Sequence, residues 1–276
     1  MARSRKIPTQ AKAAAILAAC LVGLLSRPAA AETVMVTECS VIGLCYCVNK
    51  DQLTPINANI ARVRQLIADQ KAQGKAIGYM SVPLSTVGGS YFGVNSDVAS
   101  RTKDAIEKRF GQHSVWILNP GAEGNLQGAS GADYMYMWTK ILEGRNGLGE
   151  DFDFYYFIGP AAFRRFFALD GTADMEKIDA YFDDRLAHDP QLQDAVKKNQ
   201  VSKRTFRDYY ALRASVSFSY GSHDEWNIAR MLNERRRGAA DFGIGNQLGI
   251  MYDGRSAAPG EFDSAVAGGD VGRCIN

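Results

Sequence analysis

Four short runs carry the residue types that could do chemistry: Tyr79-Met80-Ser81-Val82-Pro83-Leu84-Ser85, Asn119-Pro120-Gly121, Gly221-Ser222-His223-Asp224-Glu225-Trp226 and Asp253-Gly254. A carboxylate such as Glu225 can serve as a nucleophile or as an electrostatic stabiliser. A phenol such as Tyr79 can donate a hydrogen bond to an anionic group and favour its ionised form. Ser81, Ser85, Asn119, Ser222 and Asp253 would supply the polar lining for a bound small molecule. Plainer uses exist for the same residues. Ser222-x-x-Glu225 is also a capping box, in which the two side chains satisfy each other's orphan backbone donors at a helix start, and Tyr79 suits a core aromatic. The Gly-rich stretch 121–128 has neither the P-loop Lys-Ser/Thr nor G-x-G-x-x-G spacing, so it reads as a flexible turn rather than a phosphate cradle. Ser85, Ser90 and Ser130 lack the G-x-S-x-G elbow of a nucleophilic serine.

Such residues act together only if the chain positions them. Thr54-Pro55 opens a helix, with Pro tolerated in the first turn, and Ile56, Ile60, Val63 and Ile67 form its buried stripe before Gly74. A strand is predicted over Ala76–Val82, a helix over Ser96–Phe110, a strand over Ser114–Leu118 that Asn119-Pro120 stops, and a helix over Tyr134–Glu143. The aromatic run Phe152–Ile158 reads as a third strand. Residues 161–211 then change to helices in sequence, with Phe163, Phe166, Phe167, Ile178, Phe182 and Leu186 at helical spacing. Val216, Phe218 and Tyr220 alternate with serines, which predicts a fourth strand over Ala214–Tyr220, followed by a helix from about His223 to Arg237. Leu248–Tyr252 is a fifth strand, and residues 254–276 form a polar, irregular tail.

Strands alternating with helices call for crossover connections and so for a parallel sheet covered on both faces. The expectation is an α/β fold: a doubly wound, mainly parallel five-stranded sheet, flavodoxin/Rossmann-like, with a helical insertion (161–211) between strands three and four. The α/β domain would span 76–253, behind a cysteine-containing segment and first helix at 32–75. In such sheets ligands bind outside the carboxyl ends of the strands, where the four runs fall.

Tyr79-x-Ser81-x-Pro83 resembles the Y-x-[AS]-x-P first-strand signature of the nucleoside 2-deoxyribosyltransferase-like superfamily. Gly221-Ser222-x-x-Glu225-x-x-x-Ala229 is similar to that family's G-[ST]-x-x-E-x-x-x-A helix start, and a strand ending in Asn119-Pro120 lies between them. The resemblance covers roughly residues 77–232, interrupted by about fifty helical residues. It implies that Glu225 acts at the anomeric carbon of a nucleoside- or nucleotide-like small molecule, with Tyr79 holding it in place and no cofactor. Breaking a C–N glycosidic bond builds oxocarbenium character that a carboxylate can stabilise or trap. A second acidic group is needed for the leaving base, and Asp97, Asp133, Asp224 and Asp253 are candidates. The alternative is a non-catalytic ligand-binding or interaction protein on the same fold.

The first 31 residues carry five basic and no acidic residues, an apolar run from Ala13 to Leu25, and Pro28-Ala29-Ala30-Ala31 as a cleavage site. This reads as a secretory signal peptide cleaved after Ala31, giving a periplasmic or secreted protein with no membrane contact. Leu17-Ala18-Ala19-Cys20 is a rival lipobox. The remainder has 27 Lys and Arg against 30 Asp and Glu, a net charge of −3, which excludes the clustered basic excess that nucleic-acid binding requires. Four cysteines remain: Cys39, Cys45, Cys47 and Cys274. In an oxidising compartment two bridges are expected, with three pairings open, and if all four pair at least one bridge ties the two ends together. Cys45-x-Cys47 could chelate, but with no histidine nearby no metal is expected.

Overall fold

The computed structural model describes residues 33–84, 88–239, 246–258, 261 and 264–275. The expected leader and Ser85 lie outside these residues. The segment 32–75 begins with a hairpin that periodicity did not announce: strand β1 (Met35–Cys39) pairs antiparallel with β2 (Cys45–Asn49) around Gly43, whose φ of +89° suits glycine. A 3-10 turn (Lys50–Gln52) leads into α1 (Leu53–Ala72), which buries the stripe Ile56, Ile60, Val63 and Ile67. Strand β3 (Ala76–Ser81), α2 (Phe92–Phe110), β4 (Val115–Leu118) and a short α3 (Pro120–Glu123) follow. Next come α4 (Gly131–Leu142), β5 (Phe154–Phe157), α5 (Pro160–Phe166), α6 (Asp174–His188), α7 (Pro190–Lys197) and α8 (Lys203–Leu212). The chain closes with α9 (Tyr220–Gly238), β6 (Gly249–Tyr252) and the two-residue β7 (Arg255–Ser256).

Among the described residues the main sheet has the order β4-β3-β5-β6-β7, parallel throughout except for the antiparallel β6–β7 pair. Alternate strand residues face opposite sides. Tyr79 and Tyr155, partners in register, share a face with Trp138 of α4, whereas Tyr156 on the other face interacts with Arg165 of α5. Helices therefore lie against both faces, and the α/β, mainly parallel expectation holds.

One predicted strand is corrected. Residues 214–220 do not join the sheet: Val216–Phe218 is a 3-10 turn, and α9 already begins at Tyr220. The serines that supplied the alternation satisfy backbone donors locally instead. Ser215 Oγ accepts from Ser217 N and Ser219 Oγ caps α9 by accepting from Ser222 N, which leaves Phe218 and Tyr220 at 60% and 66% exposure. The fourth parallel strand is β6, and the fifth strand is β7, inside the stretch that reads as irregular. The helical insertion matches α5 to α8; Arg185 of α6 pairs with Asp97 of α2 at 2.6 Å and, within the insertion, with Asp189 at 2.8 Å.

The hairpin is fastened to α4. Tyr46 OH reaches Thr139 Oγ1 at 2.7 Å, and Asp133, which forms a capping box with Ser130, also accepts from Asn49 N at 2.8 Å. Two disulfides, Cys39–Cys45 and Cys47–Cys274, select one of the three pairings left open, and the second ties the ends of the described chain together. Among the described residues no helix is long and apolar enough to cross a membrane, and no cluster of three or more metal-ligating side chains occurs.

Gly78 lies under the Phe154 ring, which occupies the space a β-carbon would need. Gly78→Ala should therefore lower stability by about 1–3 kcal/mol, the usual range for overpacking a strand interior. A denaturant midpoint shift at constant slope would read this effect.

Candidate functional site

Tyr79 and Ser81 are two residues apart on β3, so both side chains leave the same face, and Ser81 is the last residue of the strand. Ser222 and Glu225 are three apart on α9, so both lie on one side of that helix. α9 lays that side against the carboxyl end of the sheet, and the Tyr79 hydroxyl donates to Glu225 Oε1. The helix is capped by Ser219 rather than Ser222. Glu225 is therefore not spent on a capping box. Tyr79 is fully buried among Tyr155, Trp138 and Phe152, with ring centroids 5.5, 5.9 and 6.1 Å away. It has no freedom to follow any other partner.

The electrostatics follow from this burial. Glu225 is 6% exposed, and loss of hydration pushes its carboxyl from 4.5 up to about 7. The Ser81 and Tyr79 hydroxyls pull it down, while the charge of neighbouring Asp224 adds to the rise. Ser81 Oγ faces the carboxylate without the alignment of a full hydrogen bond. The Tyr79 phenol is itself held well above its ordinary range, first by burial and then by the carboxylate beside it, so it remains a donor. Glu225 Oε2, Ser81 Oγ and Ser222 Oγ are buried and have no hydrogen-bond partner among the described residues. Buried polar atoms of this kind call for an ordered water or a bound polar group to satisfy them.

Beside them lies a cavity of about 260 Å³ at the carboxyl ends of β5 and β6. Its walls include Phe157, Trp226, Tyr252, Ser222, His223 and Val266. Trp226 and Phe157 meet edge to face with centroids 4.8 Å apart. Glu225 does not line this cavity; Ser222, one turn before it, and Trp226, next to it, do.

The structure thus brings Tyr79, Ser81, Ser222 and Glu225 together. Asn119 lies elsewhere in the bonding scheme: its side chain caps α3 by accepting from Gly121 N at 3.0 Å and donates to Ser100 Oγ at 3.2 Å. Asp253 caps α5, accepting from Ala161 N at 2.7 Å and from Ala162 N at 3.2 Å. Of the other candidate acids, Asp97 is paired with Arg185, Asp133 is used by the hairpin and its own helix cap, and Asp224 accepts from Gly269 N and Asp270 N. The cavity walls were only partly legible. Trp226 adjoins Glu225 in sequence, but Val266 reaches the wall by a long-range contact that no local pattern signals.

Comparison with family models, curated proteins and solved structures finds no match for this chain.

A carboxyl whose folded pKa lies above its unfolded value binds its proton more tightly in the native state. Its stabilising contribution is complete below about pH 4.5 and is lost as pH rises through about 7. Glu225→Gln, which keeps an acceptor for Tyr79 but cannot ionise, should match wild type near pH 4 and exceed it by up to about 3 kcal/mol at pH 8. Paired denaturation curves across that range would test this, and a constant difference would contradict it.

Proposed function

We propose that this chain is an exported enzyme that cleaves or transfers an N-glycosidic bond of a nucleoside- or nucleotide-like small molecule, on a flavodoxin-like, nucleoside-deoxyribosyltransferase-like core. The observation that carries the reading is the buried Glu225 carboxyl, oriented by Tyr79, with the Ser81 hydroxyl close enough to lower its pKa and the buried Ser222 hydroxyl one turn before it on the helix. The strand order supports it. Counting only parallel strands the order is second, first, third, fourth, so the reversal falls between β3 and β5, and ligands in open α/β sheets gather at such a point. The cavity offers aromatic walls for a planar base beside polar groups for a sugar.

Glu225 in its ionised form would attack or stabilise the anomeric carbon as the C–N bond breaks. The bonding pair leaves with the base nitrogen, which takes a proton delivered through solvent in the open cavity. Water or another acceptor hydroxyl then releases the sugar and restores the carboxylate. A pKa near 7 leaves a usable ionised fraction at neutral pH, while the desolvated setting strengthens the carboxylate's interaction with positive charge. Export is supported by the leader-like first 31 residues and the two disulfides.

A second reading, a non-catalytic extracytoplasmic binding protein, is favoured by one observation: Glu225 is nearly enclosed and stands behind the cavity wall rather than in it. Release of base or nicotinamide from a panel of nucleosides, nucleotides and dinucleotides separates the two. The enzyme reading expects release by the oxidised protein and a loss of at least about 100-fold in Glu225→Gln without a lower Tm. Tyr79→Phe removes a hydrogen bond that lowers the Glu225 pKa, so it should move the acidic limb of the pH profile upward. No release from any member, with ligands raising the Tm of wild type and Glu225→Gln alike, would favour the binding protein instead.

A further inference from the structure

The first two turns of α9 are gripped from outside by the end of the chain. Asn227 exchanges two hydrogen bonds with Val266, Nδ2 to O at 2.7 Å and N to Oδ1 at 3.0 Å. His223 Nδ1 meets the Ala267 carbonyl at 2.7 Å, and its Nε2 meets the Ser217 carbonyl at 3.0 Å. Asp224 Oδ2 accepts from Gly269 N at 3.2 Å and Asp270 N at 3.0 Å. Past α9 the segment crosses to the hairpin, where Gly272 N donates to the Cys45 carbonyl at 2.8 Å and Cys274 N to Thr37 Oγ1 at 3.0 Å. The Cys47–Cys274 disulfide then fixes it covalently. Val266 of this same stretch lines the cavity.

We infer that residues 264–274 are a strap that gates access to Glu225, and that the Cys47–Cys274 disulfide is its lock. His223, Asp224 and Asn227, the residues that hold the strap, bracket Glu225 on the helix, so the turn carrying the carboxylate is clamped between strap and sheet. With the strap seated, Glu225 is 6% exposed and stands behind Ser222 and Trp226. Lifting the strap removes the Val266 wall of the cavity and frees the first turns of α9. The fit to α9 depends on two glycines. A β-carbon at Gly268 would overlap the Asp224 carboxylate, and one at Gly269 would press on the Tyr220 ring. Individual hydrogen bonds of this kind contribute little net stability, so they hold an exposed segment only weakly without a covalent anchor. Both cysteines of the anchor are partly exposed and open to a dithiol reductant. That reductant supplies two electrons and two protons, leaving Cys47 and Cys274 as thiols and itself as a disulfide.

The gating role rests on the reading of Glu225 as the functional carboxylate, whereas the strap itself can be tested without any substrate. Hydrogen exchange and acrylamide quenching of Trp226, taken as the difference from Trp226→Phe, would be compared in four proteins. These are oxidised wild type, dithiothreitol-reduced wild type, Cys47→Ser/Cys274→Ser and Cys39→Ser/Cys45→Ser. Reduction or loss of Cys47 and Cys274 is expected to speed exchange over 220–227 and 264–274 by at least about tenfold and to raise Trp226 quenching, while loss of Cys39 and Cys45 leaves both unchanged. Gly268→Ala, which keeps the disulfide, should give the same change over 220–227 and serves if the double variant does not fold. Equal exchange over 220–227 in oxidised and reduced protein would overturn the strap. Faster exchange with no base release in any state would leave the strap standing and count against the glycosidic reading. Base release that rises severalfold on reduction would support both.

Discussion

A buried carboxylate held by a buried phenol is the constraint around which this protein is arranged. Removing Glu225 from water costs energy, which the protein meets with the Tyr79 hydroxyl, the nearby Ser81 hydroxyl and a proton affinity raised to about 7. The phenol can do this only because Tyr155, Trp138 and Phe152 surround its ring and β3 fixes its height at the carboxyl end of the sheet. The aromatic centre of the core thus also sets the chemistry of one acid.

The remainder of the chain brings α9 to that acid and keeps it there. The Ser219 cap starts the helix one turn earlier than the Ser222-Glu225 pattern suggests, which leaves Glu225 free of a capping box to meet Tyr79. On its outer side the helix meets the terminal segment, and that segment is bolted to a hairpin nearly the whole chain away in sequence. The hairpin is in turn anchored to α4 through Tyr46 and Asp133, and α4 carries the Trp138 that packs on Tyr79. Sheet, hairpin, strap and site therefore form a closed mechanical loop.

Much of this was legible in residue periodicity. The α1 stripe of Ile56, Ile60, Val63 and Ile67, the buried β3 and the aromatic β5 are local patterns, and local patterns survive in sequence. The pairing of Tyr79 with Glu225 was suggested by motif resemblance alone, since no physical rule links positions 146 residues apart. Where side chains competed with backbone bonding, periodicity misled. The alternation over 214–220 reads as a strand, yet Ser215 and Ser219 bond their own backbone and make a 3-10 turn and a helix start instead. Asp253 shows a related ambiguity, because a carboxylate after a strand can line a site or cap the next helix, and here it caps α5. The strap was invisible beforehand because Gly268 and Gly269 have meaning only against Asp224 and Tyr220.

The environment of the Glu225 carboxyl can be observed directly. With glutamate labelled by carbon-13 at the side-chain carboxyl, the Glu225 resonance is assigned by its loss in Glu225→Gln and followed with pH. A midpoint near 7 that moves higher in Tyr79→Phe is expected. A midpoint near 4.5 that is indifferent to Tyr79 would mean a solvated carboxylate, and the site described here would not exist.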